Sequence, residues 1–384
     1  MGAYHQMGHD SWNLVGEDEL ADFSGIVLSP VNDSPEQVIE RLGRLRESVN
    51  HSKEVILDPQ FYKPSSDRGR ITSWPHFSND LDTADLGDIG WWRKRAEKLT
   101  EVAHEIKADS ICSPAYIPRV FGRGYYEFIV RCAEETAKIA APENIDVLIS
   151  ALVNFTDLGQ KNQAETIASN LTSTSISRIY LVILGGNQPR EHHSDLDSLT
   201  GLLRLIRLLE EAGTKVLVAF CGLDMLLWKS AGATSVATGK FFNLRRFIPE
   251  RWDDLKEGGQ IVSYWTDEQF ISWLREADVR LLDRLGLLDR GAAKINPFSS
   301  KILDVIDEGK GEAWLGLSWR QYLYWFMKNE SILTAQPNRI DTLLSSALAN
   351  WKNFSTTSML MHDERNDGSW IRQWSNAIQM SRRY

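Results

Sequence analysis

Two stretches of this chain set reactive side chains on backbone able to hold them still. The first is Val55-Ile56-Leu57-Asp58-Pro59-Gln60-Phe61-Tyr62. An apolar run that ends abruptly in Asp delivers a carboxylate to the end of a buried strand. Loss of solvent there raises its pKa, or a cation beside it holds it ionised, and either state suits acid–base chemistry. The competing reading is an Asp that caps a turn before Pro59. A long polar stretch, 63–90, follows, and long loops in compact domains are usually functional.

The second stretch is 232–247, GATSVATGKFFNLRRF. Gly239, Lys240, Asn243, Arg245 and Arg246 suit phosphate, because backbone N–H groups at a Gly turn and forked guanidinium groups both match its oxygens. The interleaved aromatics add stacking surface. The competing reading is a solvated basic loop paired with Asp253 and Asp254. Other chemistries lack their residues. No strand end carries His, and His192-His193 falls in a segment expected to be solvated, so no metal site is expected. Cys112, Cys132 and Cys221 have no paired spacing and no nearby His; Cys112 and Cys221 read as small core residues. No glycine-rich nucleotide fingerprint occurs, and no cofactor is expected.

Positioning these groups falls to short Val/Ile/Leu runs that alternate with segments of helical period, the pattern of parallel strands covered on both faces. Eight strands are expected, at 25–29, 54–58, 110–113, 146–152, 179–184, 215–221, 234–238 and 260–264. Helices are expected between them at 91–107, 125–140, 159–171, 196–212 and 223–231, with another opening at Ser34-Pro35-Glu36. Eight units over about 250 residues fit an α/β fold, a (β/α)8 TIM barrel. A helical C-terminal extension follows, with helices at 268–287, 314–327, 339–351 and 368–381. The domain division expected is a barrel at 1–270 and a helical cap at 271–384. Eight of the 14 Trp fall from Trp265 onward, either as packing or as a stacking wall over the barrel mouth.

Active sites of such barrels lie at the C-terminal strand ends. Asp33, Gln60, Tyr62, Asn154 and Gln188 are therefore the expected substrate contacts, Asp58 the catalytic carboxylate, and Arg119 a further phosphate ligand. Composition limits the partners. Lys+Arg number 43 against 52 Asp+Glu, a net charge of −9, which excludes a broad basic surface but not a local track. The odd cysteine count points to a reducing compartment. The opening Met1-Gly2-Ala3-Tyr4-His5-Gln6 has no signal-peptide pattern, and no apolar run approaches the roughly 18 residues that span a bilayer. A cytoplasmic protein with no membrane partner is expected.

The order of motifs resembles the tRNA-guanine transglycosylase superfamily, (β/α)8 enzymes that exchange modified bases in tRNA, with relatives acting on DNA. The likeness spans about 25–247. Ile26–Val31 resembles the family's first strand, and Leu57-Asp58-Pro59-Gln60-Phe61 resembles its Asp-Ser-Gly-Gly-Phe-Gln, whose Asp is the acid/base. Ser113-Pro114-Ala115-Tyr116 is similar to its third strand end, Leu184-Gly185-Gly186 to its base-binding turn, and 233–246 to the segment bearing its nucleophile and arginines. This chain lacks an acid at Ala237 or Thr238, where the nucleophile falls, and at Cys112 or Ser113. Asn154 replaces a Gln, and the zinc site after the barrel is absent. The resemblance thus implies base chemistry on nucleic acid, with DNA favoured over RNA. The single remaining carboxylate implies hydrolysis of an N-glycosidic bond rather than exchange. Restriction to a hypermodified base would suit antiviral defence. The rival readings are exchange itself, a barrel enzyme on a small phosphorylated metabolite, and a non-catalytic nucleic-acid-binding barrel.

Overall fold

A computed structural model describes residues 2–47, 53–78, 81–185, 188, 190–253, 262–309 and 311–383. Eight parallel strands close into a barrel in chain order: β1 Gly2–Gln6, β2 Gly25–Leu28, β3 Glu54–Leu57, β4 Ser110–Cys112, β5 Asp146–Asn154, β6 Arg178–Leu184, β7 Lys215–Val218 and β8 Ser235–Thr238. Closure pairs β1 with β8 through Gly2↔Ser235 to His5↔Thr238. Helices cover the outside, as the expected (β/α)8 fold requires.

Seven strands fall where the Val/Ile/Leu runs place them, and two assignments are corrected. The barrel opens with Gly-Ala-Tyr-His-Gln, a segment without an apolar run, because its side chains serve a polar interior. The expected strand at 260–264 is not part of the barrel. Its first two residues lie outside the described residues, and the chain from Val262 to Tyr264 is not strand. Ile26–Val31 therefore starts on the second strand.

The helix expected at 268–287 also begins differently. A hairpin forms first, β9 Trp265–Asp267 paired antiparallel with β10 Ser272–Leu274, and the helix runs only over Glu276–Arg284. Helices Leu315–Ala335, Arg339–Ser355 and Ser369–Ser381 follow. The expected boundary at 270 falls inside the hairpin, and side chains of barrel and helices share one buried core. Of the eight C-terminal tryptophans, all but Trp319 are buried in that core, so packing, not a stacking wall, explains them.

Glycine is required where the helix Leu196–Glu211 crosses the turn after β5. A Cβ on Gly201 would lie 1.9 Å from the Leu158 carbonyl oxygen. Gly201→Ala is expected to destabilise the protein by about 2 kcal/mol, because overpacking against rigid backbone outweighs the gain in helix propensity. An unchanged melting temperature would contradict that packing.

Candidate active site

Asp58 follows β3 directly and is 1% exposed, facing the C-terminal mouth of the barrel. Its Oδ2 accepts hydrogen bonds from the hydroxyls of Tyr62 at 2.8 Å and Tyr180 at 3.3 Å. Its Oδ1 accepts from the Gln60 backbone N–H at 3.0 Å. Gln60 adopts a left-handed backbone, φ 55°, a conformation that costs a non-glycine residue about 1 kcal/mol and recurs at functional sites. Burial pushes the Asp58 carboxyl up to about 6 against these hydrogen bonds and the nearby Arg251 charge, all of which favour the ionised form. Such a group changes protonation near neutral pH, as acid–base catalysis requires.

Further polar groups surround it. Gln6 Nε2, from β1, donates to Tyr180 Oη at 2.7 Å. Ser29, after β2, donates to Gln60 Oε1 at 3.0 Å and receives Asn32 Nδ2 at 2.7 Å and Arg251 Nη2 at 3.3 Å. The Tyr62 ring packs edge-on against Phe247 and Trp252, each at 5.0 Å, and these rings roof the cluster. Beside the roof opens a cleft of about 370 Å³ lined by Gly8, Asn32, Arg68, Asn243 and Arg251 among others. That volume lies in the range of small-ligand sites, roughly 300–1,000 Å³. Asn32 and Arg251 line the cleft and also hold Ser29, so they join it to the Asp58 cluster.

Several expected contacts are placed elsewhere. Asp33 is buried and committed to the fold: it accepts from Trp12 Nε1 at 2.9 Å and pairs with Arg41. Asn154 Oδ1 caps its own turn, accepting from Thr156 N at 3.0 Å and Oγ1 at 2.8 Å. Gln188 is exposed, and Gly186 lies outside the described residues. The Gly185 carbonyl accepts from Arg246 at 3.1 Å.

The expected phosphate set is corrected most. Arg245 is 3% exposed, its guanidinium 3.4 Å from the Tyr322 ring centroid and bonded to the Gly239 and Lys240 carbonyls at 3.2 and 2.8 Å. Arg246 is buried on His193 at 2.7 Å and lies 3.6 Å from Asp224. Lys240 is buried over the Trp319 and Phe241 rings at 4.5 and 4.9 Å. Gly239 packs against the Gln6 carbonyl and Leu244, leaving no room for a Cβ. Of the set, only Asn243 and Arg119 are exposed. The His192-His193 pair is not solvated either: His193 is buried, and His192 stacks on Trp370 at 4.2 Å and Trp273 at 5.4 Å.

The residues missed in sequence are Gln6, Ser29, Arg68, Tyr180 and Trp252. Only Tyr180, a hydroxyl in an otherwise apolar strand, carried a signal. All three cysteines are free and buried, and burial raises their thiol pKa values. Among the described residues no cluster of three or more His, Cys, Asp or Glu is arranged to hold a metal ion. None of the helices described is long and apolar enough to cross a membrane.

No protein-family model and no curated protein matches the chain. Solved barrels do. Dihydrodipicolinate synthase from Bacillus clausii is 14% identical over 64% of this chain and 70% of its own, with a TM-score of 0.35. D-Psicose 3-epimerase from Clostridium cellulolyticum is 11% identical over 62% and 84%, at 0.36. N-Acetylneuraminate lyase from Mycoplasma synoviae is 12% identical over 98% and 97%, at 0.35. At these identities and scores the likeness assigns no chemistry.

Proposed function

We propose that this barrel hydrolyses an N-glycosidic bond and releases a modified base from nucleic acid, DNA ahead of RNA, with Asp58 as the catalytic carboxylate. The observation that carries the reading is a carboxyl at the mouth of the barrel, held by two tyrosine hydroxyls and pushed up to about 6 by its burial. The target base would be turned out of its helix into the mouth. Ionised Asp58 accepts a proton from the water that adds to the sugar carbon while the C–N bond breaks. The departing base takes up that proton, so the products are a free base and a sugar hydroxyl. Tyr62 and Tyr180 hold the carboxylate in place throughout. The resemblance to base-exchanging enzymes supports the substrate class, and the missing second acid favours hydrolysis over exchange.

Backbone phosphates would meet Arg68 and Arg251 in the cleft and Arg119 on the loop after β4, instead of the buried Arg245 and Arg246. The test is incubation with genomic DNAs of differing base modification, with mass spectrometry of released bases and an assay for abasic sites. A released base with a matching abasic site is expected from at least one; intact DNA throughout overturns the reading.

The cleft volume suits one rival, a small phosphorylated metabolite, which would meet Arg68 and Arg251 but also the carboxylates of Glu250 and Asp253 on the same lining. Salt dependence separates the two. Binding that neutralises several backbone phosphates falls steeply on a log–log plot, with a slope of about −0.9 per contact on duplex DNA, whereas a single-phosphate site gives a shallow slope.

A further inference from the structure

Two amide atoms beside Asp58 are buried without a hydrogen-bond partner: Gln6 Oε1 and Gln60 Nε2. Their neighbours decide which end of each amide is left over. The hydroxyls of Tyr62 and Tyr180 both donate to Asp58 Oδ2, so the Tyr180 oxygen serves Gln6 only as an acceptor. Gln6 therefore presents Nε2 to it, at 2.7 Å, and keeps Oε1 free. On the other side, Ser29 Oγ receives donors from Asn32 and Arg251. Its own hydrogen goes to Gln60 Oε1 at 3.0 Å, which leaves Nε2 free. Turning Gln60 round would set donor against donor.

Buried side-chain amides normally find partners. Here one free acceptor and one free donor flank a single carboxyl. Gln60 is fixed further by its left-handed backbone and by its N–H bond to Asp58.

We propose that Gln6 and Gln60 form a paired amide reader, Gln6 accepting from and Gln60 donating to a planar ligand edge that carries a hydrogen-bond donor beside an acceptor. The proposal rests on the base-release reading and names the class of group that release would act on. The lactam edge of an oxo-base and the amidine edge of an amino-base share this chemistry; an unsubstituted ring edge does not. Gln6 and Gln60 are buried and do not line the cleft; Ser29 links Gln60 to Asn32 and Arg251 on the cleft wall, so a ligand edge reaches the two amides only when those contacts to Ser29 open.

The test is calorimetric titration of the wild-type protein with the 9-methyl derivatives of hypoxanthine, adenine and purine; the methyl group stands where the sugar would and removes the N9–H donor that all three free bases carry beside N3. The hypoxanthine derivative, the adenine derivative or both are expected to bind at least about ten-fold more tightly than the purine derivative, and the tighter of the two tells lactam from amidine. Equal binding of all three, or binding of none, overturns the proposal. Gln60→Glu keeps an oxygen for the Ser29 hydroxyl but turns the free donor into an acceptor, and it is expected to abolish the preference over purine. A folded Gln60→Glu variant that keeps the preference also overturns it. Should that variant not fold, the wild-type ranking decides alone. The base-release reading fails separately: if no DNA releases a base, the ranking of the three derivatives still stands, and release without any ranking removes only the reader.

Discussion

Asp58→Asn is expected to abolish base release and, at pH 8, to unfold at a higher temperature than the wild-type protein. The two effects share one cause. Burial raises the folded-state pKa of Asp58 from the usual 3.8 to about 6, so the folded protein holds the proton more tightly than the unfolded chain. A neutral Asp58 is tolerated below about pH 4 in both states. As pH rises from about 4 through 6, the unfolded chain ionises first and stability is lost. Well above pH 6 the loss amounts to about 3 kcal/mol, the equivalent of the displaced pKa. Asparagine carries no charge and escapes this penalty. The stability advantage of Asp58→Asn should therefore be about 3 kcal/mol at pH 8 and shrink to little at pH 4. Denaturant titrations at the two pH values measure it; an advantage that does not change with pH would contradict the raised pKa.

The second large effect concerns the join between barrel and helical extension. Lys229, on the short helix Met225–Ser230 after β7, reaches Glu330 on the helix Leu315–Ala335 at 2.8 Å, with side chains only 4% and 6% exposed. Lys229 also donates to the Ala233 and Thr234 carbonyls at 2.9 and 3.3 Å. Removing one member of a buried pair strands the other charge, at a cost of about 3–5 kcal/mol. Lys229→Ala is accordingly expected to lose that much in urea denaturation. Lys229→Met combined with Glu330→Leu should recover most of it, since packed apolar side chains replace buried pairs at little cost. A loss under about 1 kcal/mol in the single variant would show that the pair does not hold the extension in place.

How much of this is legible in sequence differs from residue to residue. Asp58 stands out because burial of Val55, Ile56 and Leu57 shows as an apolar run, and the run breaks at the carboxylate. The strand Gly2–Gln6 leaves no such trace. Tyr4 reaches Glu54 Oε2 at 2.5 Å and Gln6 reaches Tyr180, so these side chains bind polar groups inside the barrel and erase the apolar pattern. Arg245 and Arg246 read as a phosphate grip because sequence shows charge but not what surrounds it. The groups that enclose them, Tyr322 and His193, lie far along the chain and meet them only in the folded protein. The hairpin at Trp265–Leu274 is hidden for a related reason: its aromatic residues pack equally well on a helix, and only contacts with Gln321 and Trp351 distinguish the two.

The most direct test of the central claim compares wild-type protein and Asp58→Asn on the same base-modified DNA, with the rate of base release followed from pH 5 to 8. The wild-type rate is expected to rise tenfold per pH unit and level off near pH 6, where Asp58 becomes ionised, with the variant at background throughout. Release by Asp58→Asn at the wild-type rate would contradict that claim.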